Sequence, residues 1–296
     1  MANRGERRRA QKERAKQGLT KISNHASMLD RDNRAFLSPE IAHFRRKVRS
    51  SRTKLFALIE RLNELAHREM FGTRVKNKDP QQALVAALLS RALTTFQGVV
   101  ILAEHGLISE ATAILRTLLE VLFRIAAIAK DEAVAIAYIL EDERHRDKFI
   151  NKFKMLSETV RSGAGNPEVL ESLQAAIRQR IEDQDIRELK TQWFAQRAGL
   201  LDFYHSAYSV FSMTVHVNVR DLDGALDADA EGNICGFKYG PTEEGLDEIL
   251  FTAIESQILC IRAAFSILPI DSQELLDAVH EEFKTLFHRQ FAEHET

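Results

Sequence analysis

Two charged residues interrupt one of the most apolar stretches of the sequence. Arg116 and Glu120 lie four residues apart, and therefore on one face of a helix, with leucines around them. A buried charge without a partner is costly, so each must pair with the other or with a group elsewhere in the fold. The pair predicts either an anion-binding arginine held by a carboxylate, with Glu120 as an alternative base, or a structural ion pair that fixes helix packing.

A second polar stripe follows about ninety residues later. Tyr208, Ser212 and His216 are spaced four residues apart, so their hydroxyl and imidazole groups share one helix face. A histidine in this position is a candidate general base near neutral pH. The alternative is a core histidine whose ring is satisfied by a hydroxyl or a backbone carbonyl.

Acid–histidine pairs are the third kind of candidate. Asp142 and His145 have the carboxylate-x-x-His spacing of di-iron helical bundles and share a face with apolar residues, which would turn them inward as ligand-binding residues. Glu64 and His67 have the same spacing but lie opposite the apolar stripe of their helix. A di-iron centre requires two inward-facing pairs, so no metal is expected. No P-loop and no GxGxxG motif occurs, and no cofactor is expected either.

The N-terminal segment carries most of the positive charge. Residues 1–54 hold sixteen Lys or Arg against five Asp or Glu, a net charge of +11 that leaves −13 for the remainder. Such an arm favours nucleic acid or an acidic protein surface as a partner through residues 1–54, and a solvated tail is the alternative. The residues expected to contact phosphates are Arg7, Arg8, Arg9, Lys12, Arg14 and Lys16.

The elements that position these residues are predicted to be helices. Only five Pro and thirteen Gly occur in 296 residues, and apolar residues recur at helical spacing. We expect an all-α bundle of about eight helices, with a short β-hairpin insertion near 225–239 and a tight helical hairpin turning at Gly106. Residues 1–34 would form a disordered basic arm and residues 35–296 a single domain.

The apolar spacing also gives bounds for individual elements. Single helices are expected from about Ser38 to Gly72 and from Trp193 to Val217. Ser109 is expected to cap the second helix of the hairpin. Strand is expected only between Val219 and Pro241.

Composition also indicates the compartment. The two cysteines, Cys235 and Cys260, form no disulfide framework, and the charged N-terminus is unlike a signal peptide, so a cytoplasmic location is expected. The two most apolar stretches carry charges at mid-length, which is unfavourable inside a bilayer. We therefore expect no membrane span, and the sequence leaves a homo-oligomer open.

These motifs resemble those of a known family. The pattern A-x-x-x-x-R-x-x-x-E at Ala111 to Glu120, and S-x-x-x-H at Ser212 to His216 followed by a loop and a Gly-Pro, are similar to an uncharacterised all-helical bacterial family, a domain of unknown function. The resemblance spans about Phe56 to Ile267. It implies a prokaryotic helical domain whose hallmark residues are Arg116, Glu120 and His216, and it implies no catalytic activity.

HEPN-type helical ribonucleases offer a looser comparison. Their Arg–His signature has two matches here, Arg61 with His67 and Arg289 with His294. So short a motif arises often by chance in an Arg-rich chain. The first match also lies on the polar side of its helix. Neither match therefore supports a ribonuclease.

Two functions remain open from the sequence. The first is a stress- or phage-defence-type effector that engages nucleic acid through its arm, with a polar pocket for a phosphate-containing ligand. In it, the expected catalytic residues are His216, Arg116 and Glu120, with Tyr208, Ser212, Asp142 and His145 as ligand-binding residues. If this protein is an enzyme, a metal-independent ribonuclease-like phosphodiesterase is the first expectation. The second is a non-catalytic helical interaction module whose polar pairs are structural.

Overall fold

The computed structural model of the chain describes residues 23–24, 34–76, 78–157, 167–215, 226–230, 232–237, 239–270 and 272–292. Helices account for 78% of these residues, which confirms the all-α fold. The α-helices are α1 (Ile41–Ser51), α2 (Thr53–Gly72), α3 (Pro80–Glu104), α4 (Ile108–Lys130), α5 (Glu132–Lys154), α6 (Pro167–Asp183), α7 (Thr191–Ala198), α8 (Leu201–Phe203), α9 (Ser209–Val215), α10 (Leu246–Phe265) and α11 (Gln273–Ala292).

The predicted helical hairpin forms the centre of the fold. Helices α3 and α4 pack along each other, and α10 lies against both. The turn requires Gly106, which has a φ of +74°, and its carbonyl accepts a hydrogen bond from Thr242 N at 3.3 Å. A Cβ at this position would lie 2.6 Å from Cβ of Pro241, so a larger residue would collide there. Helix α4 begins at Ile108 rather than after a Ser109 cap, because Leu107 takes the capping position.

The long helix expected from Trp193 to Val217 is instead divided into short segments. Gly199, with a φ of +70°, ends α7, and α8 begins two residues later. Residues Tyr204–Tyr208 then form a π-helical turn that leads into α9. Both α7 and α9 pack against α4. The apolar spacing predicted helix correctly, but it could not reveal the glycine break or the π turn.

The single helix expected from Ser38 to Gly72 is likewise two helices. Arg52, with φ −126° and ψ 35°, separates α1 from α2. Helix α1 contacts α2 and α3, while α2 packs against α11. Helices α5 and α6 form a pair at the side of the bundle, with α5 also contacting α3 and α4.

The predicted β-hairpin is present. Strands β2 (Leu226–Ala228) and β3 (Ile234–Phe237) pair antiparallel, within the expected region. A two-residue strand, β1 (Ser23–Asn24), adds to the other edge of β3 in parallel. This pairing differs from the expectation that strand would occur only between Val219 and Pro241. It fixes one point of the N-terminal segment beside the hairpin.

By length and composition, α3 could cross a membrane, and it is the one helix of the described part of the chain for which this holds. Core helices of soluble proteins have the same property, and α3 lies at the centre of the bundle with Leu89, Phe96 and Val99 almost fully buried. The apolar character of α3 is therefore accounted for by the core.

Candidate functional site

Four polar side chains from two elements meet on one side of α4. Arg116, Glu120 and Arg124 follow one another at intervals of four residues, so α4 presents them as a single stripe. Tyr208, the last residue of the π turn, reaches this stripe from the segment that packs against α4. We refer to these four residues as the Arg116 cluster.

The tyrosine hydroxyl joins the two charged residues that the sequence singled out. Arg116 Nη2 donates to the Tyr208 hydroxyl at 3.1 Å, and that hydroxyl donates to Glu120 Oε1 at 2.9 Å. The direct separation of Arg116 Nη2 and Glu120 Oε1 is 3.6 Å. Tyr208 therefore bridges an ion pair whose two members do not meet at hydrogen-bonding distance.

The second arginine contacts the other side of the same carboxylate. Arg124 Nη1 lies 3.6 Å from Glu120 Oε2 and donates to the Glu120 backbone carbonyl at 2.9 Å. Its guanidinium also stands 5.2 Å from the ring centre of Phe194, within cation–π range. Two arginines thus share one glutamate, and the charged groups carry a net charge of +1.

The cluster is partly exposed to solvent. The side chains of Arg116, Glu120 and Arg124 are 27%, 29% and 21% exposed, whereas Tyr208 is 6% exposed. Burial raises the pKa of the Tyr208 phenol, and the opposing effect of the Arg116 hydrogen bond is smaller. The phenol therefore stays neutral near pH 7 and can donate to Glu120.

Local backbone and ring packing hold Tyr208 in place. Ser209 N donates to Tyr204 O, five residues back, which is the hydrogen bond of a π turn. The rings of Tyr204 and Tyr208 stack at 5.0 Å, and Phe123 of α4 lies 6.0 Å from each of them. Single π turns inside α-helices occur frequently at functional sites. This one positions the residue that bridges the ion pair.

Such an arrangement can bind an anion. An incoming anionic group would find two guanidinium groups that are only loosely held by Glu120. It would also find one Arg116 nitrogen, Nε, that is buried and has no hydrogen-bond partner among the described residues. Arginine is suited to planar, bidentate recognition of phosphate and carboxylate. The groups seen here offer positive charge and donors, while Glu120 could accept a proton.

The structure unites only part of the predicted site. Arg116, Glu120 and Tyr208 meet, and Ser212, half-buried, lies one turn beyond Tyr208 on α9. His216, the expected base, falls outside the described residues, as do Arg7, Arg8, Arg9, Lys12, Arg14 and Lys16 of the expected nucleic-acid arm.

The remaining ligand-binding candidates lie apart from the cluster. Asp142 and His145 of α5 are exposed, and Asp142 pairs with Arg146 at 2.6 Å. The inward orientation expected for them is wrong, because the buried side of α5 here is occupied by Glu141 and Ile150. Among the described residues, no group of three or more His, Cys, Asp or Glu could hold a metal ion.

Sequence reasoning missed Arg124 as a member of the site, although its spacing from Glu120 carried the signal. It also missed where the positive charge of α1 goes. Arg45 and Arg49 both bind Glu104, a residue that is 3% exposed at the end of α3, at 2.6 and 2.8 Å. Glu104 is far in sequence from its two arginine partners, so no local spacing indicated their contact.

The end of α1 and the residue that follows it are tied to the start of α10 and to the segment just before it. Arg52 contacts Asp247 at 2.5 Å and Glu243 at 2.8 Å, and Lys47 contacts Glu243 at 2.9 Å. We call these contacts, together with those at Glu104, the α1 charge network. Part of the charge that suggested an external partner for residues 1–54 is thus neutralised within the protein.

Comparison with known proteins places the site within a family. Residues 82–234 match the family of unknown function DUF5677. No curated protein and no solved structure matches the chain. The matched region contains the whole Arg116 cluster and leaves out α1, α2, α10 and α11. Because the match spans more than half of the chain, this protein belongs to DUF5677, an uncharacterised helical family, as its motifs suggested.

Proposed function

We propose that this protein is a bacterial cytoplasmic effector, of a stress- or phage-defence type, that binds a phosphate-containing ligand at the Arg116 cluster. Its basic arm engages nucleic acid. The observation that carries the proposal is the excess of loosely held positive charge: two arginines face one carboxylate, each at 3.6 Å. Ion pairs built for stability are usually hydrogen-bonded at shorter distances.

Partial exposure supports ligand access. At 27% and 21% exposure, Arg116 and Arg124 can turn toward an incoming anion without a large change in the surrounding helices. Tyr208 would then keep Glu120 aligned through its hydrogen bond of 2.9 Å. A preorganised donor set of this kind reduces the ordering cost of binding.

Phosphodiester cleavage without a metal is the first reaction to examine under this proposal. His216 would act as the base and Arg116 would stabilise the charge that develops on the phosphate. The π turn ends eight residues before His216, so the helix leading to that histidine starts from the residue that bridges Arg116 and Glu120.

A second candidate function is a non-catalytic interaction module. The observation that favours it is the internal hydrogen bonding of the cluster, since Tyr208 both accepts from Arg116 and donates to Glu120. In that case the four residues fix how the π-turn segment packs on α4, and no ligand is required.

Calorimetry with pyrophosphate would test the ligand site. We expect binding by the wild-type chain and a loss of about tenfold in affinity for Arg116→Gln, because one charge-assisted hydrogen bond is removed. Arg146→Gln is the matched control, since Arg146 is an exposed arginine on α5 that pairs with Asp142 in the same i, i+4 geometry. Equal affinity for Arg116→Gln and wild type would refute the site and leave the interaction module.

Fluorescence anisotropy with labelled single-stranded RNA would test the arm. Replacing Arg7, Arg8 and Arg9 with Gln in the full chain should weaken binding. The slope of log K against log salt concentration should become shallower by an amount that corresponds to about three phosphate contacts. RNA binding that is equally tight and equally salt-dependent in the two proteins would remove nucleic acid as the partner of the arm.

A further inference from the structure

A cleft lies outside the family region, between segments that precede and follow residues 82–234 in the sequence. It is formed where α1 meets α2, together with the start of α10 and the end of α11, and its volume is about 350 Å³. This volume falls within the range of roughly 300–1,000 Å³ that is typical of small-molecule sites. None of its lining residues belongs to the Arg116 cluster or to the family match.

The cleft has an excess of uncommitted positive charge. Its one acidic residue, Asp247, is already engaged, because Arg52 binds Oδ1 at 2.5 Å and Gln290 donates to Oδ2 at 3.1 Å. Lys54 and Arg289 also line the cleft, and both are exposed with no ion-pair or hydrogen-bond partner among the described residues. Within the described part of the chain, two cations therefore face the cleft without a counter-ion, which favours an anionic ligand.

Hydroxyl groups beside these cations supply acceptors rather than donors. Ser50, Ser51 and Thr53 line the cleft, and each donates its hydroxyl hydrogen to a backbone carbonyl, at 2.9, 3.0 and 3.0 Å respectively. A hydroxyl oxygen that has given its hydrogen still offers two lone pairs, of which Ser51 already uses one to accept from Arg52 Nη1 at 3.0 Å. The ligand that fits these groups carries an anion at one position and O–H or N–H donors at another.

The remaining wall of the cleft is apolar. Leu55 and Phe251 are 6% and 4% exposed and form its base, with Leu286 beside them. Phe251 is held by Phe287 and Phe291 at ring distances of 5.6 and 5.4 Å. A flat apolar group of a ligand would pack on this base, as in most small-molecule sites.

We propose that this cleft binds a phosphate monoester of a small hydroxylated molecule with a flat apolar part, and that a mononucleotide fits it. The phosphate contacts Lys54 and Arg289, the sugar hydroxyls donate to Ser50, Ser51 and Thr53, and the base packs on Phe251 and Leu55. The inference is independent of the Arg116 cluster, since the two sites share no residue.

Calorimetry with AMP, adenosine and inorganic phosphate would test this assignment on the full chain. We expect AMP to bind at least about tenfold more tightly than either of the other two, because each lacks one half of the contacts. The double variant Lys54→Gln/Arg289→Gln should lose about tenfold in AMP affinity. Both residues are exposed, so its melting temperature should match that of the wild type.

A matched control and a second background separate the two sites. Arg46→Gln removes an exposed arginine of α1 that has no ion-pair partner in the described ranges and does not line the cleft. Its AMP affinity should stay within about twofold of the wild type. The effect of Lys54→Gln/Arg289→Gln should be the same with and without Arg116→Gln.

Three results would overturn the assignment. AMP binding that is absent, or that persists in Lys54→Gln/Arg289→Gln, would show that the cleft is not the site. Adenosine that binds as tightly as AMP would show that the cations contribute nothing. Inorganic phosphate that binds as tightly as AMP would show the same for the apolar base. None of these results depends on whether Arg116→Gln affects pyrophosphate binding.

Discussion

The α1 charge network and the Arg116 cluster contain the same residue types but differ in their role. In the network, Arg45 and Arg49 hold the buried Glu104 at 2.6 and 2.8 Å, and the partners come from separate elements. In the cluster, Arg116 and Arg124 stand 3.6 Å from Glu120, their neighbour on the same helix. The short contacts join α1 to the core, whereas the longer contacts leave guanidinium groups available.

Exposure of the carboxylate marks the same difference. The Glu104 side chain is 4% exposed and the Glu120 side chain is 29% exposed. A buried carboxylate has lost its hydration, and only its contacts with cations compensate for that cost. A partly exposed carboxylate can replace a cation by water at a small cost in free energy. Both the distance within an arginine–glutamate pair and the burial of its carboxylate must therefore be known before a role is assigned to the pair.

The largest effect is expected from Arg45→Ala/Arg49→Ala. This variant leaves the Glu104 carboxylate buried without a cation, which should cost on the order of 3–5 kcal/mol of unfolding free energy. Urea unfolding at pH 7 would measure it, with Arg46→Ala of the same helix as the control. A loss below about 1 kcal/mol would mean that the network does not stabilise the fold.

A smaller effect is expected from Arg116→Ala. Because Glu120 keeps the Tyr208 hydroxyl and Arg124, and because the site is partly exposed, the loss should be about 1 kcal/mol. The same urea titration would measure it. A loss of about 3 kcal/mol or more would mean that the cluster, like the α1 charge network, has a structural role. It would favour the interaction module.

Tyr208→Phe tests the bridge alone. Removal of the hydroxyl should cost about 1 kcal/mol near pH 7, since one bridging group is lost from a partly hydrated site. Burial raises the pKa of Tyr208 in the folded protein, so its contribution is present below the usual pKa and is lost as pH rises through the raised value. The stability difference between wild type and Tyr208→Phe should therefore shrink under alkaline conditions in thermal unfolding. A difference that stays constant there would contradict the bridging role.

The smallest effect concerns Glu243, which joins α1 to α10. Its hydrogen bond with Lys47, followed by that with Arg52, lowers the pKa of Glu243. The stability that this shift supplies is present above the unfolded pKa and is lost as pH falls through the lowered value. Glu243→Gln should reduce this acid-dependent loss by about 0.5 kcal/mol in unfolding titrations between neutral and acidic pH. Identical acid titration curves would show that Glu243 adds nothing.

Helical periodicity was sufficient to predict the bundle, and turn residues were sufficient to predict its central hairpin and the position of the β-hairpin. Polar residues on an apolar helix were sufficient to find Arg116 and Glu120, because burial of a charge is unfavourable unless it serves a purpose. The contacts that decide the role of these residues are tertiary. The bridge from Tyr208 depends on a π turn, and the clamp on Glu104 depends on a contact across 55 residues, so neither could be read from local spacing.

A π turn contains one residue more than the α-helical turn it replaces, which makes the segment before α9 sensitive to length. Deleting one residue between Tyr204 and Tyr208 would restore a continuous α-helix from α8 into α9. The side chains of α9 would keep their facing, because the π turn already places Ser209 against the Tyr204 carbonyl, where the fourth residue of an α turn would stand. Only the side chains inside the turn would be redistributed. A change of one residue in length at this point could thus alter the turn that carries Tyr208 and leave the register of Ser212 and the rest of α9 as it is.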